Sequence, residues 1–158
     1  MIQIQVDTRE HAAEWERISK QFDALGVSYF RSKLYVGDYC LVDSPRVVVD
    51  RKKDLNEICS NICQQHERFK AELLRAEAAG FKIIILCEHG RAIRSLEDVF
   101  FWENPRRKKS PKATNGPQLY KALSTIRERY GVEFVFCEKH QTGKKIVEVL
   151  SEWQRKDS

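Results

Sequence analysis

Residues 2–6, Ile-Gln-Ile-Gln-Val, alternate apolar and polar side chains, the period-two pattern of a strand with one buried face. Asp7 or Thr8 can cap a helix in which Trp15, Ile18, Phe22 and Leu25 recur at helical spacing until Gly26 stops the run. Residues 27–35 alternate again and predict a second strand. Two short apolar runs, 39–42 and 47–49, flank Asp43-Ser44-Pro45 and predict a hairpin over residues 37–52. Leu55, Ile58, Ile62, Phe69, Leu73 and Leu74 mark a long helix from Asp54 to Gly80, with a bend expected at 64–67 where polar residues break the stripe. Residues 81–87 are almost continuously apolar and fit a strand buried on both faces.

The second half continues in the same alternation. Residues 95–102 predict a short helix or turn with an apolar side. Residues 104–117 hold three of the four prolines and no apolar period, and predict a loop that is mobile without a ligand. Pro117 opens a helix through Leu119, Leu123, Ile126 and Tyr130 that Gly131 closes. A buried strand at 132–137 and an amphipathic helix at 142–153 complete the chain. Strands alternating with helices after a meander-like start predict an α/β fold, a mixed β-sheet with helices on both faces and the charged hairpin at its centre. The 158 residues show no repeat and fit one domain, 1–158, with 104–117 as a basic loop within it.

The register of the hairpin decides what its charges can do. Val48, Asp50 and Lys52 share one face of their strand, and Val47, Val49 and Arg51 share the other. A two-residue turn would pair 39 with 50 and put Asp38 on the wrong face. A three-residue loop at 43–45, or an equivalent bulge, pairs 38 with 50 and gathers Asp38, Asp50 and Lys52 on one surface. That register is the one expected.

Charge then sharpens the picture. Net charge is +5, and residues 105–129 carry eight basic residues against one acid, so the rest of the chain sums to about −2. A basic segment on a near-neutral body is the footprint of a polyanion ligand, although a solvated charged loop has the same composition. The five cysteines are odd in number and lack a second pair at zinc-ligand spacing, which argues for buried reduced thiols over a zinc site. No apolar run approaches a membrane span and the N-terminus has no signal-peptide pattern, so a cytoplasmic protein without membrane contact is expected.

Two facing carboxylates repel, and a divalent cation removes the conflict. Mg²⁺ takes one or two carboxylates, waters and a substrate phosphate oxygen, a need that Asp38 and Asp50 meet. Such a cation lowers the pKa of a bound water and polarises a phosphoryl group. Lys52 can orient that water or steady phosphoryl charge, Asp7 can add a ligand directly or through water, and Glu10 is a more distant candidate. A solvent-facing Asp-x-Lys charge pair is the bland alternative. His66 and Arg68 are likewise open between substrate contacts and ordinary surface charges.

These motifs resemble a family. Val-Asp-Thr-Arg-Glu (6–10), Gly-Asp-Tyr (37–39), Val-Asp-Arg-Lys (49–52) and His-Glu-Arg-Phe-Lys-Ala-Glu-Leu (66–73), in that order, resemble the nuclease domain of the XPF family of structure-specific endonucleases, within the restriction-endonuclease-like superfamily. The resemblance implies that Asp38 and Asp50 bind a catalytic Mg²⁺ or Mn²⁺ with Asp7 assisting. It makes Lys52 the catalytic lysine and gives Arg9, Arg51 and Arg68 supporting roles at the site or on DNA. Two positions depart from the pattern: the family usually has Glu at Asp50, and an Asp at Asn56. Relatives in eukaryotes and archaea carry a tandem helix-hairpin-helix module for which these 158 residues leave no room, so the likeness is to compact bacterial and phage versions. Substrate grip is then expected from Arg106, Arg107, Lys108, Lys109 and Lys112.

The expected function is metal-dependent endonucleolytic cleavage of branched or flapped DNA, in repair, recombination or phage DNA processing, by a chain that can form a homodimer. A catalytically inactive DNA-binding module with a nuclease-like fold is the alternative, and a protein-interaction subunit is a third reading.

Overall fold

The computed structural model describes residues 2–90 and 92–157. In chain order they form β1 (Gln3–Val6), α1 (Ala12–Ala24), β2 (Ser28–Arg31), β3 (Tyr39–Leu41), β4 (Ser44–Lys52), α2 (Leu55–Cys63), α3 (His66–Ala78), β5 (Lys82–Glu88), α4 (Gly116–Tyr130), β6 (Glu133–Cys137) and α5 (Thr142–Asp157). Short 3-10 turns cover Glu97–Phe101, Pro105–Lys108 and Lys139–Gln141. The strands build one mixed sheet in the order β2-β1-β3-β4-β5-β6. β1 runs antiparallel to β3 and β3 to β4, while the β1–β2, β4–β5 and β5–β6 pairs are parallel. The predicted α/β architecture is present, with the charged hairpin at the centre of the sheet.

Alternation along the strands divides the core in two. On one face Cys40, Val48, Ile85 and Cys87 pack with Leu55, Ile58, Phe69, Leu73, Leu119 and Leu123 of α2, α3 and α4. On the other, Tyr39, Val47, Val49 and Leu86 pack with Ile18 and Phe22 of α1 and Ile146 and Leu150 of α5. Asp50 and Lys52 therefore face the α2–α4 layer and Arg51 faces the α1–α5 layer. The long helical pattern is interrupted where expected: α2 ends at Gln64 and α3 begins at His66.

Several local expectations are corrected. The first helix begins at Ala12 behind His11, which makes no side-chain cap; Asp7 and Thr8 do not cap it. The Asp7 carboxylate instead accepts the Leu34 N–H at 2.8 Å and the Arg9 guanidinium at 2.7 Å. The second strand stops at Arg31, four residues short of the alternating pattern, because the chain turns off the sheet edge towards Asp7. The hairpin turn is Val42–Asp43, with Leu41 opposite Ser44; the three-residue loop is absent, and the expected alternative, a bulge in β4, sets the register. That bulge restores Cys40 opposite Val48 and Tyr39 opposite Val49, which places Asp38 opposite Asp50. Cys63 is exposed, whereas the other four cysteines are buried, and all five are free.

Candidate active site

Asp38 owes its position to Gly37. The glycine adopts φ +75°, and a Cβ there would lie 2.9 Å from the Val48 side chain, so no other residue fits without moving the strand. The Asp38 backbone is tied on both sides: its N–H donates to the Val49 carbonyl and its carbonyl accepts the Asp7 N–H, each at 2.8 Å. Its carboxylate accepts the Arg51 backbone N–H at 2.7 Å. Burial, then the charges of Asp50 and Glu10, drive the Asp38 carboxyl well above the usual carboxylate range; the Arg51 N–H only partly opposes them.

Asp50 and Lys52 are not a solvent-facing pair. Their side chains are 14% and 13% exposed, and Lys52 Nζ lies 3.5 Å from the Asp50 carboxylate. Burial opposes the Lys52 ammonium, but Asp50, Glu57, Asp38 and Glu72 outweigh it and hold its pKa above the ordinary lysine value. The lysine stays a cation at neutral pH. Phe69 closes the site from the α3 side, its ring centroid 6.0 Å from Lys52 Nζ.

The acids open onto a cleft of about 440 Å³ whose lining includes Arg9, Asp38, Asp50, Arg68, Glu72 and Arg75. Arg68 thus faces the acids, while His66 lines a separate groove between α3 and α4 with Ile62 and Tyr130. Arg9 is 60% exposed at the mouth of the cleft and is anchored by Asp7 and by the Leu34 carbonyl at 3.2 Å. Asp7 is 1% exposed, and each of its carboxylate oxygens already accepts a hydrogen bond. Glu72 was missed in the sequence. Burial and then Asp50 push its carboxyl up, and Lys52, Arg75 and Arg9 pull it down. Its position four residues after Arg68, one helical turn on the same face, was the available signal.

Beneath the acids lies a buried ion network. Arg51 donates from Nη2 and Nε to Glu10 at 2.8 and 3.0 Å, and from Nη1 to Glu88 at 2.6 Å. Glu10 also accepts the Tyr39 hydroxyl at 2.7 Å. Glu88 is reached by Arg17 at 2.7 Å and by the Thr142 hydroxyl. The Glu10 and Arg51 side chains are 4% and 8% exposed, so both brace the sheet from its other face. Neither Arg17 nor Glu88 was singled out in the sequence.

The basic loop joins the same edge of the molecule. One hollow is lined by Asp50, Lys52, Lys53 and Glu57, and the next by Lys53, Glu57, Pro105 and Arg106. The loop has internal structure: the Asn104 side chain caps the Pro105–Lys108 turn and bonds the Thr114 carbonyl at 2.8 Å, and Arg107 bonds the Ala113 carbonyl at 2.7 Å. Lys108, Lys109 and Lys112 are exposed. Asn56 lies in this second hollow, away from the acid cleft, and Asp54 caps α2 through the Glu57 N–H.

Among the described residues no cluster of three or more His, Cys, Asp or Glu side chains forms a metal cage by itself. The donor set nevertheless fits a hard cation that keeps its waters. Asp38 and Asp50 face one another with one carboxyl driven towards its protonated form, a conflict that Mg²⁺ or Mn²⁺ relieves.

Comparison with known proteins bears on the fold and the family. The chain aligns at 21% identity with the structure of XPF from Aeropyrum pernix, with a TM-score of 0.63 over 94% of this chain and 60% of that one. It also aligns at 21% identity with XPF from Aeropyrum pernix in complex with DNA, with a TM-score of 0.67 over 99% of this chain and 66% of that one. At this identity the likeness establishes a shared fold, and the chain spans about two thirds or less of either relative. No curated protein sequence matches the chain. The ERCC4 domain profile matches residues 6–150, from the end of β1 into α5, and the chain therefore belongs to the ERCC4 domain family of nucleases.

Proposed function

We propose that the chain is a Mg²⁺- or Mn²⁺-dependent DNA endonuclease that hydrolyses phosphodiester bonds at branched or flapped DNA. The observation that carries this reading is the half-buried Asp38–Asp50 pair with the cationic Lys52 beside it, at the base of a cleft lined by Arg9, Arg68 and Arg75. The relative whose structure contains DNA supports the choice of ligand.

In this proposal Asp38 and Asp50 hold the cation, which when bound supplies an acidic water and a polarised phosphoryl oxygen. The Lys52 ammonium stabilises charge that develops on the phosphoryl group. Arg9 and Arg68 at the cleft mouth contact phosphates flanking the scissile one. Asp7 acts from behind by holding Arg9 and residue 34, because its own oxygens are engaged. Glu10 and Arg51 keep the strand that carries the acids in place. Arg106, Arg107, Lys108, Lys109 and Lys112 grip the backbone beyond the cleft. A chain of this kind serves DNA repair, recombination or phage DNA processing.

A panel of linear, flapped and branched DNA incubated with and without Mg²⁺ tests the reading. Metal-dependent cleavage is expected from the wild type and not from Asp38→Asn or Lys52→Ala. Activity retained in both variants would remove the site assignment. The shorter acid at Asp50 and the amide at Asn56, set apart from the acid cleft, favour a second reading as an inactive DNA-binding module. It predicts salt-sensitive binding with no turnover in any metal.

A further inference from the structure

Phe101 is 77% exposed and Phe100 is 45% exposed, and they are consecutive. Their ring centroids are 5.2 Å apart, and Tyr120 of α4 meets Phe100 edge-on at 6.0 Å, so three aromatic rings adjoin at one surface. Scattered apolar residues on a surface need no explanation, but an exposed aromatic pair does.

The backbone that carries this pair is fixed. The turn packs on the start of α4, where a Cβ on Gly116 would fall 2.5–2.8 Å from the carbonyls of Val99, Phe100 and Trp102. No bulkier residue allows that approach. The neighbours of the pair in sequence are core: Val99 is fully buried and Trp102 is 8% exposed. The two rings are therefore presented by a rigid element at little further loss of conformational freedom.

Their surroundings indicate what covers them. The turn follows β5, whose last residues run parallel to the end of β4, with Cys87 beside Lys52. The basic turn Pro105–Lys108 begins four residues after Phe101, and Asn104 ties it to the approach to α4. Of the acids nearby, Glu97 pairs with Arg127 at 3.8 Å and Asp98 accepts the Arg94 N–H at 2.9 Å, while the exposed Glu103 lines a hollow with Arg107 and Lys108. Aromatic rings beside a basic track suit nucleic-acid bases, which stack on the rings while the cations hold the phosphates. Paired bases inside a duplex cannot present their faces, so the ligand must be unpaired.

We propose that Phe100 and Phe101 form a stacking platform for unpaired DNA bases in a single-stranded arm at a branch. The proposal deepens the nuclease reading and rests on it for the class of ligand. It gives the chain a means of telling branched DNA from duplex, which phosphate contacts alone do not supply.

The test is binding of the intact chain, in EDTA, to a 2-aminopurine-labelled single strand, a flapped DNA and a blocked-end duplex. Wild type is expected to change the 2-aminopurine fluorescence and to prefer the first two. Phe101→Ala should lose roughly tenfold in affinity for DNA with unpaired bases and little for duplex, with an unchanged salt slope. Phe101→Trp should restore the preference and Phe101→Leu should not. Equal losses on all three DNAs, no loss on any, or recovery with Leu would overturn the platform and point to a protein partner for these rings. The nuclease reading fails separately: metal-dependent cleavage with no stacking signal sinks only the platform, and stacking without cleavage sinks only the catalytic assignment.

Discussion

The backbone N–H of Arg51 donates to the Asp38 carboxylate at 2.7 Å on one face of the sheet, while the Arg51 guanidinium bonds Glu10 and Glu88 on the other. One residue thus joins the acid pair to the buried ion network. Removing a partner from such a network leaves uncompensated buried charge.

Arg51→Ala is expected to destabilise the fold by about 3–5 kcal/mol, measured by urea unfolding. Arg51→Lys should rescue little, since an ammonium cannot reproduce the bonds to both glutamates. A loss below about 1 kcal/mol would show that the network does not brace the strand.

Metal should matter to stability as well as to cleavage. Wild type is expected to gain about 2.7 kcal/mol at a Mg²⁺ or Mn²⁺ concentration a hundredfold above the dissociation constant. Asp38→Asn should raise metal-free stability, by removing one of two facing acids, and abolish the metal-dependent gain. Thermal unfolding with and without metal measures both. An undiminished gain in Asp38→Asn would exclude Asp38 as a ligand.

Glu10 sets a pH dependence. Burial alone would raise its carboxyl, but the Arg51 and Tyr39 bonds outweigh that and hold it below the ordinary value of 4.5. A depressed acid stabilises the fold fully above its unfolded pKa, and the contribution is lost as pH falls through the folded value. Glu10→Gln should therefore be much less stable than wild type at pH 7, with the gap closing below about pH 4.5. Denaturant unfolding of both proteins across that range checks it, and a gap constant with pH would contradict it.

The basic loop predicts the salt dependence of binding. Arg106→Ala, Lys108→Ala and Lys109→Ala should each lower the slope of log affinity against log salt by about 0.9 for every phosphate left without its cation. Arg107→Ala should also loosen the loop, because this side chain holds the Ala113 carbonyl. Unchanged slopes would identify the loop as a solvated surface.

Much of this was legible from local pattern. Periodicity located the helices and strands, and parity along β4 put Asp50 and Lys52 on one face, because strand side chains alternate whatever the surroundings. The ordered motifs pointed to the family. The basic excess at 105–129 marked the segment proposed to hold the DNA backbone.

Tertiary structure decided what depends on approach between distant segments. The route to the register, a bulge behind a Val42–Asp43 turn, follows from packing that no turn rule encodes. Asp7 fits a helix cap by local pattern, and its bonds to Leu34 and Arg9 appear only when the chain after β2 folds back. Arg51 and Glu88 lie 37 residues apart, and Glu72 shares a cleft with Asp50 only because α3 packs over the sheet. Sequence pattern sets which face a side chain takes, since that is a property of the local backbone. Which partner it meets there is set by burial and by charges that long-range folding brings together.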